Sequence, residues 1–130
     1  MPVQELKQLQ YEVDSWNRLL EFMIDENIHL KSRLSELIKY QYDKYLLIDA
    51  EEFQSKFIRN DELIGLLRNE AVELDKLLLR EMFEDGDLMN EIEIKFKNLR
   101  NNISSAETGF SNLKSDFNNY LTENIFANEY

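Results

Sequence analysis

Alternating steps of three and four from Leu6 meet Leu6, Leu9, Val13, Trp16, Leu20, Met23, Asn27, Leu30, Leu34 and Leu37, with one polar residue among them. Such steps return to the same face of an α-helix, so the run predicts a helix with a heptad seam. The same walk from Leu46 gives Leu46, Ala50, Phe53, Phe57, Asn60, Ile64, Leu67, Ala71, Leu74 and Leu78. From Met89 it gives Met89, Ile92, Phe96, Leu99, Ile103, Ala106, Phe110, Leu113, Phe117 and Tyr120 without a polar interruption. With 43% of the chain apolar, an unbroken run of ten arises by chance in about 0.1–0.2% of cases, so three seams in one chain decide the fold class.

The class is all-α: an elongated up-down-up antiparallel three-helix bundle with coiled-coil-like heptad seams, forming one domain over residues 1–130. Apolar residues beside the seams, Leu19, Ile24 and Ile38 in the first and Leu63, Leu77 and Met82 in the second, widen each stripe beyond what a two-stranded contact needs. Each helix is therefore expected to touch two others.

Helix boundaries follow from breaks in the pattern. In Phe83-Glu84-Asp85-Gly86-Asp87-Leu88, Gly86 suits the left-handed residue that ends a helix and Asp87 can cap the next. Continued past Leu37, the first seam would fall on Gln41 and Lys44, whereas the second uses Leu46 and Ala50. The frame therefore slips between Tyr40 and Tyr45, and a tight turn capped by Asp43 is expected there. A rival break lies at Arg59-Asn60-Asp61-Glu62, but the frame runs through it unchanged. The predicted helices are about 3–40, 43–84 and 87–126.

Composition removes several functions. The single proline is Pro2, the glycines are Gly65, Gly86 and Gly109, and cysteine is absent, which excludes disulfides, thiolate metal sites and cysteine nucleophiles. A net charge of −11 repels phosphate backbones and anionic lipid, so neither nucleic acid nor membrane is an expected partner. No basic leader precedes an apolar stretch and no apolar run reaches the ~18 residues of a membrane span, so a cytoplasmic location is expected.

The seams absorb most residues that would suggest chemistry. Asn27 and Asn60 are the polar residues within the first two, where a buried amide sets register at some cost in stability. Their midpoint lies at the expected first turn, so they should stand level on antiparallel helices. Glu26 and His29 have the Glu-x-x-His spacing of carboxylate-bridged metal sites, but such sites need two histidines and this chain has one. Asp85, Asp87 and Asn90 miss the spacing of a calcium loop and read as turn chemistry. Glu51-Glu52, Asp61-Glu62 and Glu70 with Glu73 read as solvated faces.

Tyr40, Tyr42 and Tyr45 gather at the first junction, where they are expected to cap the end of the core or, as the alternative, to form an adhesive bundle end. With Tyr11, Phe22 and Phe83, which fall off the seams, they are the candidate interface residues. The stretch 101–109 is poor in helix formers inside an unbroken heptad, so a helix held by packing, with weaker protection or a kink near Gly109, is expected.

No nucleophile–base pair, phosphate loop or metal cluster emerges, so no enzymatic activity and no cofactor is expected. The leading reading is a non-catalytic helical interaction or scaffold module whose partner is another protein or a second copy of itself. The alternatives are a four-helix-type metal or small-ligand binder, with Glu26 and His29 of two copies brought together, and an acidic regulator of a basic protein.

Overall fold

The computed structural model describes residues 3–40, 43–84 and 87–124. They form α1 (Val3–Tyr40), α2 (Lys44–Glu84) and α3 (Met89–Asn124), packed on one another with no strand among the described residues. At 1.5 Å per residue these are rods about 55–60 Å long. Gln41, Tyr42, Asp85 and Gly86 lie outside the described residues, and with them the readings of Tyr42 as an interface residue and of Gly86 as the left-handed end of α2.

The polar contacts fix the direction of each rod. Arg100 on α3 grips Glu12 on α1 through two bonds of 2.7 and 2.9 Å, and Lys114 pairs with Glu26; both pairs are 88 residues apart in sequence. A constant offset means that α1 and α3 run the same way. Along α2 the order reverses: Tyr120 of α3 bonds to Leu46 at 2.7 Å near the first turn, while Phe57 and Asp61 meet Asn27 of α1 in mid-bundle. The topology is up-down-up.

Every position of the three seams is buried or half-buried. Val13, Leu20, Ala50, Phe57, Leu78, Ile92 and Phe117 are fully excluded from solvent, and burying a large apolar side chain contributes roughly 1.5–3 kcal/mol before ordering entropy is subtracted. Trp16 packs on Phe96 at 4.8 Å between ring centres, and Phe53, Phe57, Phe117 and Tyr120 form a second aromatic cluster nearer the first turn. Leu63 departs from the expected widened stripe. It is 40% exposed, because the α3 residues beside it, Ser105, Ala106 and Gly109, are too small to cover it.

The two turns are built differently. Asp43 ends the first: its carbonyl accepts from Leu47 and its carboxylate from the Tyr45 and Leu46 amides at 2.9 and 3.4 Å, which satisfies donors at the start of α2. At the second turn Asp87 has φ = 54°, a left-handed conformation incompatible with the extended backbone of an N-cap. The expected Asp87 cap is therefore replaced. Leu88 occupies the cap position, its carbonyl accepting from Ile92, and its own amide donates at 2.8 Å to the carboxylate of Glu81 on the last turn of α2. The rival break at 59–62 does not occur; α2 runs through it, and Asp61 turns to α1 instead of capping backbone.

Candidate interaction surface

Asn27 is fully buried and donates to the Phe57 carbonyl at 3.1 Å and to the Asp61 carboxylate, which also receives Lys31. Phe57 and Asp61 bracket Asn60 in sequence, so the bonds of Asn27 tie α1 to α2 at the level of Asn60. They do not run to Asn60 itself: Asn27 Oδ1 and Asn60 Nδ2 are both buried without a partner. Phe57 and Asp61 lie one turn apart on α2, so a single amide reaches both.

Glu26 is half-buried on the α1–α3 face, where Lys114 donates to it and holds its carboxyl below the ordinary carboxylate value, with a smaller contribution from His29. His29 itself is exposed. Among the described residues no three histidine, aspartate or glutamate side chains gather as they would around a metal ion. The Glu-x-x-His spacing thus lies at an inter-helix ion pair.

The candidate aromatics do not form one surface. Tyr40 and Tyr45 are 64% and 81% exposed beside the first turn, whereas Phe83, 80% exposed, ends α2 at the far end of the rod. Tyr11 and Phe22 are also exposed on α1 but stand three turns apart, and Arg18 lies 6.0 Å over the Tyr11 ring. The expectation that Tyr40 and Tyr45 cover the core end is corrected. Tyr120 closes it with Phe53 and Phe117, its hydroxyl fastened to the Leu46 carbonyl. Burial, with Asp49 and Asp43 nearby, raises the Tyr120 phenol above its ordinary value.

The concave surface lies elsewhere, between α2 and α3. One segment of about 580 Å³ is lined by Leu66, Asn69, Glu70, Glu73 and Leu74 facing Lys95, Asn98, Leu99, Asn101 and Asn102. A second, of about 380 Å³, shares Leu66, Glu70 and Asn102 with it and continues past Leu63 and Leu67 to Ala106, Gly109 and Phe110. A third, of about 440 Å³, lies over Phe53 and Tyr120 among Asp49, Glu52, Lys56, Asp116 and Glu123. Seven-residue spacing puts all three on one face: Asp49, Lys56, Leu63 and Glu70 form one wall, and Lys95, Asn102, Gly109, Asp116 and Glu123 the other.

Two features keep this groove open. A Cβ at Gly109 would meet nothing within 4 Å, and the residues across from Leu63 and Leu66 are small or polar. Asn60, nine-tenths buried, borders the second segment, with its amide nitrogen enclosed away from solvent. The seams foretold none of this, because Leu63 and Leu66 (40% and 58% exposed) lie beside the seam rather than on it. The usable signal was the small-residue run Ser104-Ser105-Ala106 with Gly109, set against two leucines on the neighbouring helix. Glu81 was likewise missed. It is the next seam position after Leu78 and is buried, so an acidic residue in the seam one turn before a glycine turn was the clue.

The fold and this surface define an all-α three-helix bundle with an unfilled inter-helix groove. No protein-family model matches the chain, and no curated protein or solved structure shows significant similarity to it. No helix among the described residues is long and apolar enough to cross a membrane.

Proposed function

We propose that the chain is a non-catalytic helical interaction module that docks another protein against its exposed apolar surface. The observation that supports this is the contrast between a core satisfied by the three seams and apolar side chains left over. Leu63 and Leu66 border a groove that no described residue fills, and Tyr11, Phe22, Tyr45 and Phe83 stay in solvent. Scattered apolar residues are ordinary on a surface, but a concave strip with an apolar floor and polar rims is the usual form of a docking site. A catalytic reading has less to rest on: Glu12, Glu26, Asp61 and Glu73 are held in ion pairs, and Asp43 and Glu81 bind amides at the helix ends.

Affinity purification from the cells of origin tests the reading, comparing the native chain with a Leu63→Ser/Leu66→Ser variant checked for retained helicity. A partner recovered in equal amount with the native chain and lost with the variant supports it. Recovery of the native chain alone, as a monomer, overturns it.

A further inference from the structure

We infer that a second copy of this chain covers the α2–α3 face, its α2 lying antiparallel to the first across a two-fold axis at Leu66; this names the partner in the interaction-module reading above and rests on it. One stripe of α2 carries the pattern. Glu52, Arg59, Leu66, Glu73 and Arg80 recur every seven residues on the outer side of the helix, and all five are exposed. A seven-residue step returns to nearly the same direction, so the five form one line about 42 Å long beside the groove.

Turned end for end about Leu66, this line is its own electrostatic complement. Arg59 and Glu73 stand seven residues either side of the leucine, so each Arg59 meets the Glu73 of the other copy. Glu52 and Arg80, fourteen residues out, meet in the same way. Parallel pairing would set glutamate on glutamate and arginine on arginine, so the pattern selects the antiparallel dimer. Glu73 already holds Lys76 at 3.3 Å, but through one oxygen of a pair about two-thirds exposed on both sides. Such a pair contributes little and leaves the second oxygen for a guanidinium.

The apolar residues agree with the same axis. Leu66, 58% exposed, packs on its own copy, and Leu63, one turn away on the α3 side, comes level with Asn69 of the other chain. There it enters the segment of about 580 Å³ floored by Leu74 and Leu99. A two-fold contact uses each patch twice, so the leucines left uncovered on one chain fill the groove left open on the other. Net charge does not oppose this face. The chain carries −11, but α2 from Glu52 to Arg80 has six acidic and five basic side chains, and α3 from Lys95 to Phe110 has one acidic and three basic. The face is close to neutral, and the acidic excess lies outside it.

Charge reversal on the full chain tests this, with helicity checked by circular dichroism. Light scattering coupled to size exclusion, at submillimolar concentration, should give the native chain twice its 15.6 kDa. Arg59→Glu and Glu73→Arg should each weaken the dimer at least tenfold, because each sets like charges face to face. Mixed in equal amounts, the two variants should recover a dimer of one copy of each, since every contact in the mixed pair is again between opposite charges. Leu66→Cys, the only thiol in a chain without cysteine, should oxidise to a disulfide-linked dimer, whereas Ser35→Cys on α1 should not. A monomeric native chain overturns the inference, as does a dimer indifferent to both reversals, or a mixture that stays monomeric. If the native chain is monomeric yet recovers a different protein, and Leu63→Ser/Leu66→Ser abolishes that recovery, only the identity of the partner falls. If it is monomeric and recovers nothing, the interaction-module reading falls too.

Discussion

Gly65 and Gly109 sit in the interiors of α2 and α3, neither with positive φ, and an added Cβ at either would meet nothing within 4 Å. Replacing each with alanine therefore isolates one term. Glycine in a helix interior is about 0.8–1 kcal/mol less favourable than alanine, because the unfolded chain loses more freedom on ordering. With no clash to subtract and no new packing to add, each substitution should stabilise by roughly that amount. The two positions lie on different helices and share no partner, so the pair should approach 2 kcal/mol. For a domain of this size that corresponds to a rise in Tm of roughly 6–9 °C, with an unchanged urea m-value. Circular dichroism through thermal and urea unfolding reads both. A loss of stability at Gly109→Ala would refute the reasoning, since it would mean either that α3 bends away from helical geometry there or that the groove is closed over the glycine.

Asp43→Ala removes a cap bonded to two amides and should cost about 1 kcal/mol in urea unfolding; Asp43→Asn should retain most of it. Asn27→Leu exchanges two hydrogen bonds and a partnerless buried oxygen for apolar packing, so stability should hold or rise by about 1 kcal/mol, a clear fall showing instead that the amide is a net stabiliser. Lys114 lowers the folded-state pKa of Glu26, so the stability this pair provides is present above the ordinary carboxylate value and lost as pH falls through the lowered one. Glu26→Gln should therefore flatten the acid limb of a stability-versus-pH curve. The Tyr120 pKa is raised, so its contribution is complete below the ordinary phenol value and lost as pH rises through the raised one. Absorbance at 295 nm should show one late-titrating tyrosine that disappears in Tyr120→Phe.

The helices were legible because heptad periodicity is a property of each segment by itself. The frame slip between Leu37 and Leu46 located the first turn, and Asp43 is its cap. The second turn was located by its glycine, but its mechanism was not, since Asp87 has the short acidic side chain of a cap and only its backbone conformation disqualifies it. The capping carboxylate, Glu81, lies seven residues upstream and reaches the turn only because α2 has already positioned it. Asn27 shows the same limit. Its burial followed from the seam, whereas its partners, Phe57 and Asp61, depend on how two helices are rotated against each other. The groove was least legible, because it arises from residues missing bulk on one helix opposite residues not covered on another. The tyrosines near the first turn drew attention by type, yet Tyr120, inconspicuous within a seam, is what closes that end.

Photo-crosslinking from the groove is the most direct test of the central claim that this face docks a partner protein. With benzoylphenylalanine at Leu66, irradiation in the cells of origin should give one discrete adduct with another protein molecule, which Gly109→Leu abolishes and the same probe at exposed Ser35 on α1 does not form. No adduct from Leu66, or one that persists unchanged in Gly109→Leu, would contradict the account.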